Sequence, residues 1–242
     1  MPNAMASRAG SVPPGAGDVA DTPGFFDPHQ RETIAAAMAR IIPTDATPGA
    51  REAATIDFLD RYLSGTGFIY AKPDGSGFET LTGRAERAWR ERIETMRGKY
   101  VAGVRELDSR AQHRFGGDFA VLSPDRQDAV LTAIEHREHW PDSALSPAYA
   151  LGGPAVSGPA LQQTSTEVEL DFLPLLVAHT RQGFYADPIY GGNRGRVGWD
   201  VIGFPGPASL EEVHSGRYST LEWFAEGHTD PSHENRKPHH GA

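Results

Sequence analysis

An all-α fold, an irregular bundle of about five helices with a long Gly/Pro/aromatic loop closing one end, is what this sequence predicts on three observations. An apolar stripe keeps helical spacing over roughly thirty residues, from Ala85 to Phe115. Helix start and stop signals bracket the periodic segments: Asp27-Pro28, Pro43, Gly116-Gly117 and Ser123-Pro124. No alternating strand pattern and no internal repeat interrupts them. With 38% hydrophobic residues in 242, one domain can bury a real core.

The helices follow in order. Asp27 is a natural N-cap with Pro28 at the first helical position, and Ile34, Met38 and Ile41 recur at steps of four and three, so a helix is expected over 28–42. Pro43 stops it. Pro48-Gly49 opens a second helix with the stripe Ile56, Leu59 and Leu63, ended by Gly65 and Gly67. In the third, Ala85, Trp89, Ile93, Met96, Tyr100, Val104, Leu107, Ala111 and Phe115 follow a 4-4-3 rhythm. That is an eleven-residue period, close to the natural helix repeat, so the stripe stays straight and Trp89 to Leu107 should all be buried. Gly98 and Gly103 weaken this helix and mark a bend or a close crossing. Ser123 and Pro124 start a fourth helix with Val130, Leu131 and Ile134 inward, and 141–159 reads as a loop. Thr166 caps a fifth, through Gln182, whose apolar middle around Pro174 predicts a central buried helix, kinked or frayed at the proline. Residues 1–24 read as a disordered leader, 25–227 as a single helical domain and 228–242 as a disordered polar tail.

After the fifth helix comes a segment of unusual composition. Gly191, Gly192, Gly195 and Gly198 permit close backbone approach, Pro188, Pro205 and Pro207 restrict φ, and Tyr185, Tyr190, Trp199 and Phe204 supply large faces. Such a loop holds one conformation against something, either a partner or the body of its own chain. The candidate partner contacts are Tyr185, Asp187, Pro188, Tyr190, Gly191, Gly192, Asn193, Arg194, Trp199, Phe204 and Pro205. Gly192-Asn193-Arg194-Gly195 is no nucleotide loop, because it follows a helix and has neither the dinucleotide fingerprint nor a Gly-Lys-Ser/Thr ending.

These residues carry a resemblance. Gly183-Phe184-Tyr185, Asp187-Pro188, Tyr190-Gly191-Gly192-Asn193, Gly198-Trp199 and Gly203-Phe204-Pro205-Gly206-Pro207 resemble the gluconate 2-dehydrogenase subunit 3 family. Ile41-Ile42-Pro43-Thr44-Asp45, Pro48-Gly49-Ala50 and Ile56-Asp57-Phe58-Leu59-Asp60 resemble that family's opening helix, turn and second helix. The resemblance implies a small accessory subunit without its own active site. Its partner would be an FAD-dependent catalytic subunit of the glucose-methanol-choline type, acting on a sugar, polyol or sugar acid, with a cytochrome c or a quinone as electron acceptor. No cofactor is expected in this chain, and FAD is expected in the partner.

Composition bears on the remaining classes. A net charge of -9 argues against a nucleic-acid partner. Between Arg84 and Phe115, nine Lys/Arg stand against five Asp/Glu, a basic helix that either faces solvent or meets an acidic partner. The chain has no cysteine, so disulfides and thiol chemistry are excluded. No apolar run is long enough to span a membrane. The leader has neither a twin-arginine pair nor an apolar run, unlike many members of the resembled family, so the expected location is the cytoplasm, or the periplasm by co-export with a signal-bearing partner.

Candidate chemistry within the chain is sparse. His136 and His139 flank Glu138 without a metal-binding spacing, and His228, His233, His239 and His240 fall in the tail. His179 reads as a core histidine. Glu167 with Glu169 and Glu211 with Glu212 are carboxylate pairs without a forced second group. The competing function is a free-standing helical enzyme or small-ligand-binding protein using a pocket under the aromatic loop.

Overall fold

The computed structural model describes residues 24–136, 165–204, 206–207 and 210–215. The expectations for the leader, the 141–159 loop, the tail with its histidines, His139 and Pro205 lie outside them. Among the described residues the fold is all-α, with no strand beyond an isolated pairing of Ala71 with Phe78.

Helix α1 spans Pro28–Ile41 and opens with a reciprocal cap. The Asp27 carboxylate accepts from the Gln30 amide at 2.8 Å, and the Gln30 side chain accepts from the Asp27 amide at 3.3 Å. Helix α2 spans Thr55–Ser64, starting later than Pro48-Gly49 suggested. A single turn forms first, with Ala53 N–H bonded to Gly49 O, and Ala54 then takes the left-handed conformation at φ 50°. Because that reversal takes the Ala53 carbonyl out of any helix, it is left to bond elsewhere.

Helix α3 spans Gly83–Phe115 and ends at left-handed Gly116. Ile93, Met96, Tyr100, Val104 and Leu107 are buried as expected, but Trp89 is only half-buried and Ala85 is exposed. At about 1.5 Å per residue α3 far outruns the shorter helices it packs on, so its first turns overhang the core. Trp89 is engaged even so: its ring meets the edges of Tyr62 and Tyr70, with the Arg92 guanidinium 4.9 Å away. The two α3 glycines differ in kind. A methyl on Gly103 would lie 2.1 Å from the Phe172 ring, a true close crossing, whereas one on Gly98 would meet nothing within 4 Å.

Helix α4 spans Pro124–Glu135, with Val130, Leu131 and Ile134 inward. The fifth helix expected from Thr166, kinked or frayed near Pro174, is broken into two, α5 (Ser165–Glu169) and α6 (Phe172–Tyr185). Thr166 lies inside α5, not at a cap. Pro174 accounts for the break, since inside a continuous helix it would remove a hydrogen bond and clash with the preceding turn. With the helix restarted after Asp171, Pro174 falls in its first turn, where amide donors have no intrahelical partner anyway. Lys99 of α3 satisfies the carbonyls at the break, bonding Val168 O at 2.8 Å and also Leu170 O.

Both α1 and α6 touch α2, α3 and α4. The core lies between them, built on Ile34, Met38, Leu59, Leu63, Ile93, Met96, Leu107, Ile134, Leu175 and Leu176. The predicted central role of the last long helix is met. No helix among the described residues is long and apolar enough to cross a membrane.

Candidate functional site: the aromatic loop and the polar core beneath it

The segment after α6 is more regular than a loop. It contains helical turns at Pro188–Tyr190 and Arg194–Arg196, then helix α7 (Val197–Val201). Its glycines set how closely it lies on α6. A methyl on Gly192 would sit 2.1 Å from the Gly183 carbonyl oxygen, and one on Gly198 would sit 2.0 Å from the Phe184 carbonyl oxygen. Gly183 itself faces Phe58 and Thr55 of α2 at 3.0 Å. Backbone therefore rests on backbone at these two glycines.

Asn193 is the central fastener. Fully buried and left-handed at φ 48°, it donates from Nδ2 to Ala186 O at 2.9 Å and accepts at Oδ1 from the Gly198 amide at 2.8 Å. Asn tolerates this conformation better than most side chains. Trp199 is 5% exposed, and its indole N–H donates to Tyr185 O at 2.8 Å while its ring meets Phe204 edge-on. The Tyr190 hydroxyl accepts from the Ala71 amide at 3.2 Å, and Arg61 donates to Ile189 O at 3.1 Å. Asp187 turns its carboxylate back onto the Ile189 amide at 3.0 Å.

The amino-terminal motif meets this segment directly. The Ala53 carbonyl freed by left-handed Ala54 accepts from the Arg194 amide at 2.9 Å. The Arg194 guanidinium bonds Asp57 at 2.7 Å, and Asp57 also pairs with Arg31, which bonds Asp60 at 2.7 Å. Asp60 in turn accepts from the Phe26 amide at 2.9 Å. Two motifs more than a hundred residues apart thus form one structural unit. Of the predicted contacts, Gly192, Asn193 and Trp199 are buried within the chain. Asp187, Pro188, Tyr190, Gly191 and Phe204 are half-buried, and Tyr185 and Arg194 are exposed.

A second cluster, between α2, α3, α5 and α6, was not legible beforehand. Glu167 accepts from Arg92 at 2.6 Å, Gln182 at 2.8 Å and Tyr62 at 3.3 Å, and His179 Nε2 lies 3.7 Å away. His179 is fully buried, and its Nδ1 shares a hydrogen bond with the Tyr100 hydroxyl at 2.8 Å. Burial pushes the Glu167 carboxyl up, but the neighbouring His179 imidazole, Gln182 amide and Arg92 guanidinium outweigh it and hold the group well below the usual carboxylate range. Burial, reinforced by Glu167, raises the Tyr62 and Tyr100 hydroxyls. Tyr62 and Arg92 lie 105 and 75 positions from Glu167, and nothing in the local sequence pairs them with it. The only available hint was a helical Glu at the edge of an apolar segment.

This cluster has a pH signature. A carboxyl whose folded value lies below its unfolded value of about 4.3 stabilises the fold above that pH and loses the contribution as pH falls. Wild-type stability should therefore decline on acidification below about pH 5. Glu167→Gln should be less stable than wild type near neutrality and should lose less on acidification. Urea unfolding of both proteins between pH 7 and pH 3 checks this, and parallel curves would exclude Glu167 as the titrating group.

No group of three or more His, Cys, Asp or Glu is placed to hold a metal ion among the described residues. No curated protein and no solved structure matches the chain. The family model described as gluconate 2-dehydrogenase subunit 3 matches residues 28–206, which takes in both the amino-terminal turn and the aromatic segment docked on it. The chain belongs to the gluconate 2-dehydrogenase subunit 3 family.

Proposed function

We propose that this chain is the non-catalytic small subunit of an FAD-dependent dehydrogenase complex, supporting the stability, maturation or export of a catalytic flavoprotein of the glucose-methanol-choline type. The chemistry is the partner's: a hydride passes from a carbinol carbon of a sugar, polyol or sugar acid to FAD, and the electrons go on to a cytochrome c or a quinone. The observation that carries this reading is the family match over residues 28–206. The geometry supports it, because the family-matching motifs lock the aromatic segment to α2 and α6. A locked segment presents its outer side in a fixed shape, which lowers the ordering cost of binding.

The test has two arms. The purified chain, assayed alone with FAD, a dye acceptor and a panel of sugars and polyols, should neither take up flavin nor turn over substrate. Produced together with the catalytic subunit of the dehydrogenase, it should copurify as a yellow complex of fixed stoichiometry. Turnover by the chain alone, or saturable binding of a sugar to it, would support the free-standing enzyme or ligand-binding reading instead.

A further inference from the structure

The polar cluster under α5 has two unequal sides. The donors belong to the body of the bundle: Arg92 on α3, Tyr62 on α2, His179 and Gln182 on α6. The acceptor is Glu167, carried by the five-residue α5. Each inner donor is held by contacts in which Glu167 takes no part. The Arg92 guanidinium lies over the Trp89 ring at 4.9 Å, Tyr62 stacks on Phe58 at 5.9 Å, and the His179 ring stacks on Tyr100 at 5.8 Å while bonding its hydroxyl. The cradle is formed by the body, and the carboxylate is brought to it.

Glu167 does not satisfy all of this cradle. A lone pair on His179 Nε2 would face Glu167 Oε2 at 3.7 Å and be repelled, so Nε2 carries the proton and the Tyr100 hydroxyl donates to Nδ1. That N–H is sealed from solvent without a hydrogen bond, on a side chain that is fully buried. An unmade buried donor costs stability, and an oxyanion seated about 0.8 Å nearer the ring would meet it. The tether sets the shortfall, because Lys99 bonds the carbonyls of Val168 and Leu170, and the Leu170 side chain is buried in the core. The donors also define the shape of the group they fit: Gln182 bonds one carboxylate oxygen, while Arg92 and Tyr62 bond the other. Gln182 is exposed, so the cradle meets solvent along that edge.

We propose that Arg92, His179, Tyr62 and Gln182 form a binding site for a small free carboxylate, which Glu167 occupies as a built-in competitor. The room that Glu167 fills, a carboxylate on two methylenes, limits the ligand to about the size of acetate or propionate. A helix of five residues does not persist away from the body that it packs on, so displacing Glu167 undocks α5. The site goes beyond the accessory-subunit reading and does not depend on it.

The experiment uses the full chain, with acetate as the probe and chloride at equal ionic strength as the control. Glu167→Ala vacates the cradle, and acetate should raise the melting temperature of this variant saturably, with a midpoint in the millimolar range, while chloride should not. Glu167→Ala combined with Arg92→Met should show no saturable gain. In wild type, where Glu167 competes, hydrogen exchange is the readout. At four times the acetate dissociation constant found for Glu167→Ala, the amides of α5 and Leu170 should exchange about 5-fold faster than in chloride, with α1 unchanged. Rescue that chloride reproduces, or that Arg92→Met leaves intact, overturns the site, and so does the absence of any rescue. Exchange in wild type that is indifferent to acetate overturns the competition. Should Glu167→Ala fail to fold, a graded acetate series on wild type carries the test: exchange at α5 that rises with acetate and not with chloride supports the site, and equal rates in the two salts overturn it.

Discussion

Trp199→Ala is expected to destabilise the isolated chain by about 3–5 kcal/mol, the range for truncating a large buried aromatic. The ring is 5% exposed and packed on Phe204, and a methyl placed on Gly206 would come within 2.5 Å of it. Truncation also leaves Tyr185 O without the indole donor that now bonds it at 2.8 Å. Against a typical total of about 5–15 kcal/mol, that loss brings the aromatic segment close to detachment. Urea unfolding of the isolated chain measures it. Trp199→Ala should lower stability before any partner is added. A wild-type unfolding midpoint for Trp199→Ala would remove the indole from the structural account and return it to the interface.

Gly192→Ala and Gly198→Ala should each cost at or above the upper end of the about 1–3 kcal/mol usual for overpacking. The reason is the identity of the obstructing atoms. Each added methyl would lie about 2 Å from a carbonyl oxygen of α6, Gly183 O in one case and Phe184 O in the other. A side chain in that place could rotate away; a helix backbone cannot. The segment would have to lift, which breaks the Asn193 bonds to Ala186 O and to the Gly198 amide. Hydrogen exchange should then accelerate over residues 187–204 while α1 and α3 keep their protection. Gly98→Ala is the matched control, since its methyl meets nothing within 4 Å and a mid-helix Gly-to-Ala change should stabilise by about 1 kcal/mol. Native exchange rates in both loop variants would show that the close approach is not required.

Much of the molecule was readable from the chain alone because the signals are local. A helical stripe with capping residues at its ends specifies α1, α3 and α4 within a few residues, since the 3.6-residue repeat and the unpaired end groups are properties of the segment itself. The motifs around Pro43–Asp60 and Gly183–Pro207 likewise sufficed to indicate the family, which the match over 28–206 bears out. Non-local contacts were not readable. The disruption expected at Pro174 is the α5/α6 break, but its capping by Lys99 of α3, some seventy positions away, was not readable.

The two α3 glycines read alike, and only the crossing of Phe172 separates Gly103 from Gly98. Left-handed Ala54 has no sequence signature, because its cost is met by the Arg194 amide on a distant loop. The same holds for the loop's orientation. Its composition said that aromatic and glycine residues would hold one shape, and that much the sequence determined by itself. Which of them face inward was settled by tertiary structure. Asn193 and Trp199 are turned in because carbonyls at the end of α6 need donors, and Ile202 is left out because the turn that binds Trp199 leaves it no inner face to join.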